Sequence, residues 1–411
     1  MTRVLLLALS PGLGGMHLPR SLAARGVQVS CLAHPGSVLG ASRYLEPLRV
    51  WPGADRAFLP LREVVWQLAP LEADLIIPVD ETSFAMLDGV LAHVQARGAS
   101  HRVPTALLAL VERSIGQFND FSRFGVRRLM ADVVTRAGIP APVTVPIDGL
   151  ADAQAFAARH GYPLVIKTEY TSAGTGVSIV EDAGQLEQRF AAASAGERPD
   201  MAVAQTFCEG RLAMHTVFAW RGRVRAGVGA VQLHRRSARP TAPSSAVRLL
   251  ARSPMAGACA AFVAAAGLSG FHSFDFILPP TDAGSCPPGE VPCGSALVGG
   301  TCRPLMIEHN PRPIVMSHLG DRVGSDLIGA LLDCLAGSGA LPRATDCRTS
   351  AHASADRLPG CHGNSSTVLD IAFFPDEWHR DPASPLLSEA FHDVPWDDPG
   401  IVRQACTFFM S

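Results

Sequence analysis

The sequence predicts an α/β amino-terminal unit followed by α+β units, and three observations carry that prediction. Near the start, buried-looking strands alternate with helical patterns, as in a Rossmann-like parallel sheet. Mid-chain, Tyr162–Val180 reads as two β-branched strands flanking a polar tip with Gly174 and Gly176. Further on, two apolar strands each carry an acid and are separated by a segment rich in Pro and Gly. At 411 residues the chain is long enough for two or three domains with ample core.

Bulk properties exclude several function classes. A net charge of −2 argues against a nucleic-acid partner, which would call for a basic excess. No apolar run reaches about 18 residues, so no membrane span is expected. The opening Val4–Leu9 run is read as a first buried strand and not a signal peptide, because no small-residue cleavage pattern follows. Ten cysteines, at 31, 208, 259, 286, 293, 302, 334, 347, 361 and 406, are scattered. That pattern suits reduced thiols and a cytoplasmic location, not a disulfide framework. Cys286, Cys293 and Cys302 have spacings that match no standard zinc site.

Taken in order, Val4–Leu9 leads through Ser10, Gly12, Gly14 and Gly15 into a helix over Leu18–Ala23, and Val27–Leu32 is the next strand. The glycine spacing does not meet G-x-G-x-x-G, which argues against a nicotinamide dehydrogenase. Phe58–Leu68 is helix-like. Ala73–Val79 is a buried strand ending in Asp80 and Glu81, which either face a ligand at the sheet's carboxyl edge or cap the following helix, Ser83–Ala96. The pattern shifts around residues 104–125. A helix over Val126–Ala137 stops at Gly138-Ile139-Pro140, and a strand at Val143–Val145 and a helix over Leu150–His160 follow.

After the Tyr162–Val180 hairpin come a helix over Ala183–Ala193 and a strand from Ala202 into Gly210. Ala213–Trp220 and Arg223–Val231 form a second hairpin. His234, Arg235, Arg236 and Arg239 read as exposed loop. Met255–Gly267 is a helix, Phe271–Leu278 a strand, residues 279–304 an inserted loop, Pro304–Asn310 a strand and Gly324–Leu335 a helix. Residues 337–366 look like a linker. The tail either packs on the core through Phe373, Phe374 and Trp378 or serves as a dimer arm.

The chemistry-bearing residues stand out against this frame. Lys167, at the end of a strand and just before the glycine tip, is the only lysine among 35 basic Lys and Arg residues. A compact ammonium beside a glycine loop suits phosphate contact. Alone, this could be an ordinary hairpin with a surface lysine. Downstream, however, Asp275 lies inside an apolar strand and Glu308 and Asn310 share one face of the next. Three oxygen donors on adjacent strands are what magnesium requires, with Arg312 beside them for a phosphoryl group or carboxylate. Asp275 taken alone could equally be a structural acid.

This ordered set resembles the ATP-grasp superfamily from residue 1 to about 335. The resemblance implies a Rossmann-like pre-ATP-grasp domain (1–115) followed by a two-subdomain ATP-grasp fold. Its lid subdomain would span 116–204 and its large subdomain 205–335 with the inserted loop 279–304; 336–411 would be linker and C-terminal extension. It implies that Arg127, Lys167, Ser172, Gly174 and Gly176 contact ATP phosphates. Gln205, Phe207 and Cys208 would hold adenine, Asp275, Glu308 and Asn310 two magnesium ions, and Arg312 an acyl phosphate. Three departures stand out. Arg127 replaces a lysine usual about eleven residues before the Gly-Ile-Pro turn, Gln205 replaces a hinge glutamate, and Leu212 stands where a ribose-binding acid is usual, with Glu209 as substitute.

The implied activity is an ADP-forming carboxylate–amine ligase, with small-molecule acid and amine substrates and His234, Arg235 and Arg236 as candidate substrate contacts. A carboxylase-like or kinase-like enzyme, or a non-catalytic ATP-binding subunit, is the alternative. A homodimer is compatible with the tail.

Overall fold

The computed structural model describes residues 1–46, 48–51, 61–69, 71–97, 103–117, 121, 125–169, 174, 176–191, 202–279, 303–337 and 368–408. Ser172, most of the inserted loop (280–302) and most of the linker (338–367) lie outside the described residues, as do Cys286, Cys293, Cys302, Cys347 and Cys361. Among the described residues the strands form three sheets.

The first unit runs β1 (Arg3–Ala8), α1 (Leu18–Ala23), β2 (Gln28–Ala33), β3 (Leu48–Val50), α2 (Leu61–Leu68), β4 (Leu75–Pro78), α3 (Glu81–Arg97) and α4 (Thr105–Ile115). Its sheet is parallel in the order β3-β2-β1-β4. The apolar runs of β1 and β4 are buried on both faces, which is why they lack polar alternation. The sequence reading had only a pattern shift where α4 lies. Its buried Leu107, Leu110, Val111 and Ile115 follow helical spacing and could have revealed it.

The second unit runs α5 (Val126–Arg136), β5 (Thr144–Ile147), α6 (Leu150–His160), β6 (Leu164–Thr168), β7 (Val177–Val180), α7 (Ala183–Ala191) and β8 (Ala202–Thr206). Its antiparallel sheet has the order β5-β8-β6-β7. One face carries Ile147, Leu164, Ile166, Ala202 and Ala204 into a small core under α6 and α7.

The third unit runs β9 (Arg211–Trp220), β10 (Arg223–Arg235), β11 (Ser244–Leu250), α8 (Ala256–Ala266), β12 (Gly270–Leu278), β13 (Leu305–Asn310) and α9 (Leu327–Leu335). The tail adds β14 (Leu369–Phe373), α10 (Asp376–Arg380), α11 (Leu386–Glu389), β15 (Phe391–Asp393) and α12 (Pro399–Phe408). Together they make a seven-stranded sheet, β13-β12-β9-β10-β11-β14-β15.

The tail therefore completes the large sheet, and β14 hydrogen-bonds to β11. Phe373 and Phe374 are buried as expected, whereas Trp378 is exposed. Ile401 and Ala405 of α12 pack with Leu13, Met16 and Val38, so the carboxyl end closes onto the amino-terminal unit. Arg20 pairs with Asp397 at 3.0 Å along the same seam. No helix among the described residues is long and apolar enough to cross a membrane. The described cysteines 31, 208, 259, 334 and 406 are all free.

Candidate active site

The second sheet has two faces because side chains alternate along each strand. With Leu164 and Ile166 turned to the small core, Val165 and Lys167 turn the other way. The register sets Lys167 opposite Val203, and Val165 opposite Gln205, which in turn lies opposite Thr144. Thr144, Lys167, Val203 and Gln205 thus form one wall of a cleft. Arg127, Met130, Ala131 and Val134 of α5 line it too, and Ile307 of β13 closes it from the third unit. A mostly apolar slot with a few polar groups is the usual shape of a small-molecule site.

Beside the cleft, β12 and β13 supply a charged cluster. Their antiparallel register pairs Asp275 with Glu308 and Ser273 with Asn310, all on one face. Phe274 and His309 turn to the opposite face, where their rings stack with centroids 4.9 Å apart. Asn310 Nδ2 approaches Asp275 Oδ2 at 3.4 Å. Three oxygen donors in this arrangement suit a hard divalent cation, and two facing carboxylates create the demand for one. Burial and the nearby Glu308 charge push Asp275 well above the usual carboxylate range. Glu308 moves the opposite way: burial opposes its ionisation, but Arg127, Lys167 and Arg312 outweigh it.

Three cations surround these acids. Lys167 Nζ donates to the Ile307 carbonyl at 2.6 Å. Burial lowers the Lys167 ammonium to about 8, against the pull of Glu308 and Asp275. Arg127 donates to the Thr168 carbonyl at 2.6 Å and pairs with Glu308 Oε1 at 2.8 Å. Arg312 Nε donates to Glu81 Oε1 at 2.8 Å. A Cβ on Gly14 would stand 3.2 Å from the Val79 carbonyl and 3.9 Å from Arg312 Nη1, so the first glycine turn lies beside that guanidinium.

The two acids that end β4 have different tasks. Asp80 caps α3, accepting from Ser83 N at 2.8 Å, and also accepts from Leu9 N at 2.8 Å. Glu81 is the one that reaches the site, through Arg312. Glu169, which the sequence reading did not single out, accepts from the backbone N–H groups of Arg127 and Arg128 at 3.2 and 2.9 Å. It thereby holds the first turn of α5, and with it Arg127, in place. Its signal was a buried acid two residues beyond Lys167 on the same hairpin.

Of the remaining sequence candidates, Gly176 adjoins β7, and the Gly174 carbonyl accepts from Thr241 Oγ1 at 3.3 Å. Phe207 and Cys208 follow Gln205 half-buried, and Glu209 is exposed. His234 and Arg235 end β10 and are not loop. His234 Nδ1 meets Glu377 Oε1 at 2.8 Å, Arg236 Nε meets Asp376 at 2.5 Å, and Arg235 reaches the Pro240 carbonyl at 3.4 Å. His234 and Arg236 thus bind the tail; the expectation of loop fails for His234, which pairs with β11, whereas Arg236 lies in the bend after β10, half-buried against Asp376.

Residues 127–215 match the family model described as carbamoyl-phosphate synthase L chain, ATP binding domain. A formate-dependent phosphoribosylglycinamide formyltransferase from Rhodococcus jostii is 32% identical over 114 residues, 28% of this chain and 26% of that protein. Its counterpart from Paraburkholderia xenovorans is 31% identical over 144 residues, 35% of this chain and 31% of that protein. The chain thus matches less than a third of the length of these relatives. The biotin carboxylase domain of 2-oxoglutarate carboxylase from Hydrogenobacter thermophilus superposes with a TM-score of 0.57 at 15% identity, covering 82% of this chain and 70% of that one. Carboxyaminoimidazole ribonucleotide synthase from Aspergillus clavatus, complexed with ATP, gives 0.53 at 16% identity, covering 77% and 72%. At these identities the structural likeness concerns the fold.

Proposed function

We propose that this chain, a member of the ATP-grasp superfamily, is an ADP-forming ligase that activates a carboxylate as an acyl phosphate and couples it to an amine. The observation that carries the reading is the convergence of Lys167, Arg127 and Arg312 on Asp275, Glu308 and Asn310, beside a cleft that Lys167 and Arg127 line.

Residues 1–115 are assigned as the pre-ATP-grasp domain, 116–204 as the lid and 205–335 as the large subdomain, with 336–411 as linker and extension. Adenine would lie in the slot along Met130, Val134 and Val203 against Gln205, Phe207 and Cys208, with Glu209 near the ribose. Lys167 and Arg127 would bind phosphate oxygens, and the Ser172–Gly176 loop would cover them. Asp275, Glu308 and Asn310 would hold magnesium, which would neutralise charge on the transferring phosphoryl.

The chemistry follows from a weakness of the substrate. A carboxylate repels nucleophiles, so one of its oxygens takes the γ-phosphoryl group as the bond to ADP breaks. The amine then attacks the acyl phosphate, phosphate leaves and the new amide loses a proton. Arg312 would steady the acyl phosphate from its seat between Glu81 and Gly14, where cation and backbone together can hold an anionic intermediate. The pairing of His234 and Arg236 with the tail favours a supporting role for them over substrate contact.

The test is ATP turnover with magnesium and pooled amino acids, reading ADP and product mass. ADP release that needs both an acid and an amine is expected; release that needs no acid sinks the reading. The names of the structural relatives favour a second reading, a carboxylase, and bicarbonate-dependent ADP release would select it. Nucleotide binding without turnover over a wide panel of acids and amines would favour a non-catalytic subunit.

A further inference from the structure

Away from the cleft, three segments distant in sequence bring ligand-type side chains together. His17 lies just before α1, His318 follows the strand that bears the Glu308 and Asn310 pair, and Asp393 ends β15 in the tail. His17 Nε2 stands 3.2 Å from Asp393 Oδ2, and His318 Nε2 is hydrogen-bonded to Asp393 Oδ1 at 3.2 Å. The two imidazoles stack with centroids 4.2 Å apart. One ligand atom from each residue falls within a 4.8 Å cluster. His17 and Asp393 are each only 2% exposed.

The contact between His17 and Asp393 is close without being a hydrogen bond. Both ring nitrogens of His17 and Oδ2 of Asp393 lack hydrogen-bond partners, although all are buried. Leaving such atoms unpaired costs roughly 1–3 kcal/mol each, and native interiors rarely tolerate it. A shared cation would remove that cost at His17 Nε2 and Asp393 Oδ2. Two donors on one zinc-sized ion, at bonds of about 2.0–2.1 Å and a tetrahedral angle, stand roughly 3.3 Å apart. The His17 Nε2–Asp393 Oδ2 separation of 3.2 Å is close to that edge, His318 reaches the other carboxylate oxygen, and two imidazoles with one carboxylate are a borderline-soft donor set.

We propose that His17, His318 and Asp393 form a binding site for a divalent transition metal of the zinc class, with a fourth position left for water. The site differs in kind from the all-oxygen Asp275–Glu308–Asn310 set, which suits magnesium. Its place gives it a task. His17 follows the glycine turn that lies beside Arg312, and His318 lies on the segment that leads away from Arg312. A metal here pins both segments to β15, tying the tail to the two segments that flank Arg312.

The test uses the full-length chain, stripped with chelator and titrated with cobalt(II) alone in the presence of excess magnesium. One equivalent of cobalt with the visible absorption of a four-coordinate, nitrogen-containing site is expected, and zinc should displace it and raise the melting temperature. His318→Gln and Asp393→Asn should abolish the band, while Asp275→Asn should retain it. If the variants do not fold, X-ray absorption of the zinc-loaded wild type decides: two imidazole nitrogens in the shell support the site, and an all-oxygen shell overturns it. A folded wild type that binds no cobalt, or a band lost in Asp275→Asn and kept in His318→Gln, also overturns it.

Discussion

Arg127 and Glu308 meet in an ion pair 2.8 Å long although 181 residues separate them in the chain. One belongs to α5, which lines the cleft; the other is the central acid of the β12–β13 cluster. Arg127 and Arg312 thus pair with neighbouring acids, and Lys167 donates to the Ile307 carbonyl. A metal-bound triphosphate held here as proposed would exchange these contacts, with consequences for individual residues.

Glu308→Gln removes one charge from the cluster and frees Arg127. Magnesium-dependent turnover should fall by on the order of 100-fold or more, as when a charge-stabilising group is removed from a reaction site. Calorimetric titration should still detect ADP without metal, while the gain that magnesium gives the wild type disappears. An undiminished magnesium effect would remove Glu308 from the metal site.

Lys167→Arg should leave the circular dichroism spectrum unchanged and reduce turnover by roughly 100-fold, because a planar guanidinium cannot occupy the compact ammonium's position. The wild type also carries a pH signature. Burial holds the folded Lys167 at about 8, below its unfolded value of about 10.4. The unfolded chain therefore binds more protons between these values, so this group makes stability rise as pH increases through that window. ADP affinity should move the opposite way, weakening above pH 8 as the ammonium is lost. Melting curves at pH 7.5 and 9.5, with and without ADP, separate the two trends.

Gly125→Ala should destabilise the first turn of α5. Gly125 has φ +84°, and a Cβ there would stand 2.4 Å from Glu169 Cδ. Relieving the clash moves the carboxylate off the first turn of α5, and a strained backbone of this kind costs on the order of 1–3 kcal/mol. A lowered melting midpoint together with weaker ADP binding is the expected pair of results. An unchanged midpoint would mean that Glu169 does not hold α5.

Glu377 should set the acid limit of the tail. Burial pushes its carboxyl up, but Arg380, Ser245, Ser384 and His234 outweigh this and hold it at about 2. A depressed folded value gives stability that is present above the unfolded value of about 4.3 and lost as pH falls toward 2. Glu377→Gln should flatten the stability loss over that window, as read by urea unfolding at pH 5.0 and pH 2.5.

Much of the site was legible because its signals are local. Lys167 before a glycine tip, and Glu308 and Asn310 two apart on one strand, are patterns within about ten residues, and alternation along a strand gives their faces. What was not legible depends on long-range closure. The Arg312–Glu81 pair joins residues 231 positions apart. His234 looked solvated until β11 and β14 extended the sheet and brought Glu377 against it.

The alternating α/β start, the hairpin with its single lysine, the acid-bearing strand pair and the order of these parts follow from local pattern, because periodicity and turn chemistry act between near neighbours. That Arg127 rests on Glu308, that Asp80 caps while Glu81 reaches Arg312, and that the tail completes the large sheet and delivers Asp393 to two histidines emerge only from long-range folding. Each of these contacts joins segments that chain folding must bring together, and no local pattern of hydrophobicity or charge encodes which distant partner a buried polar group will meet.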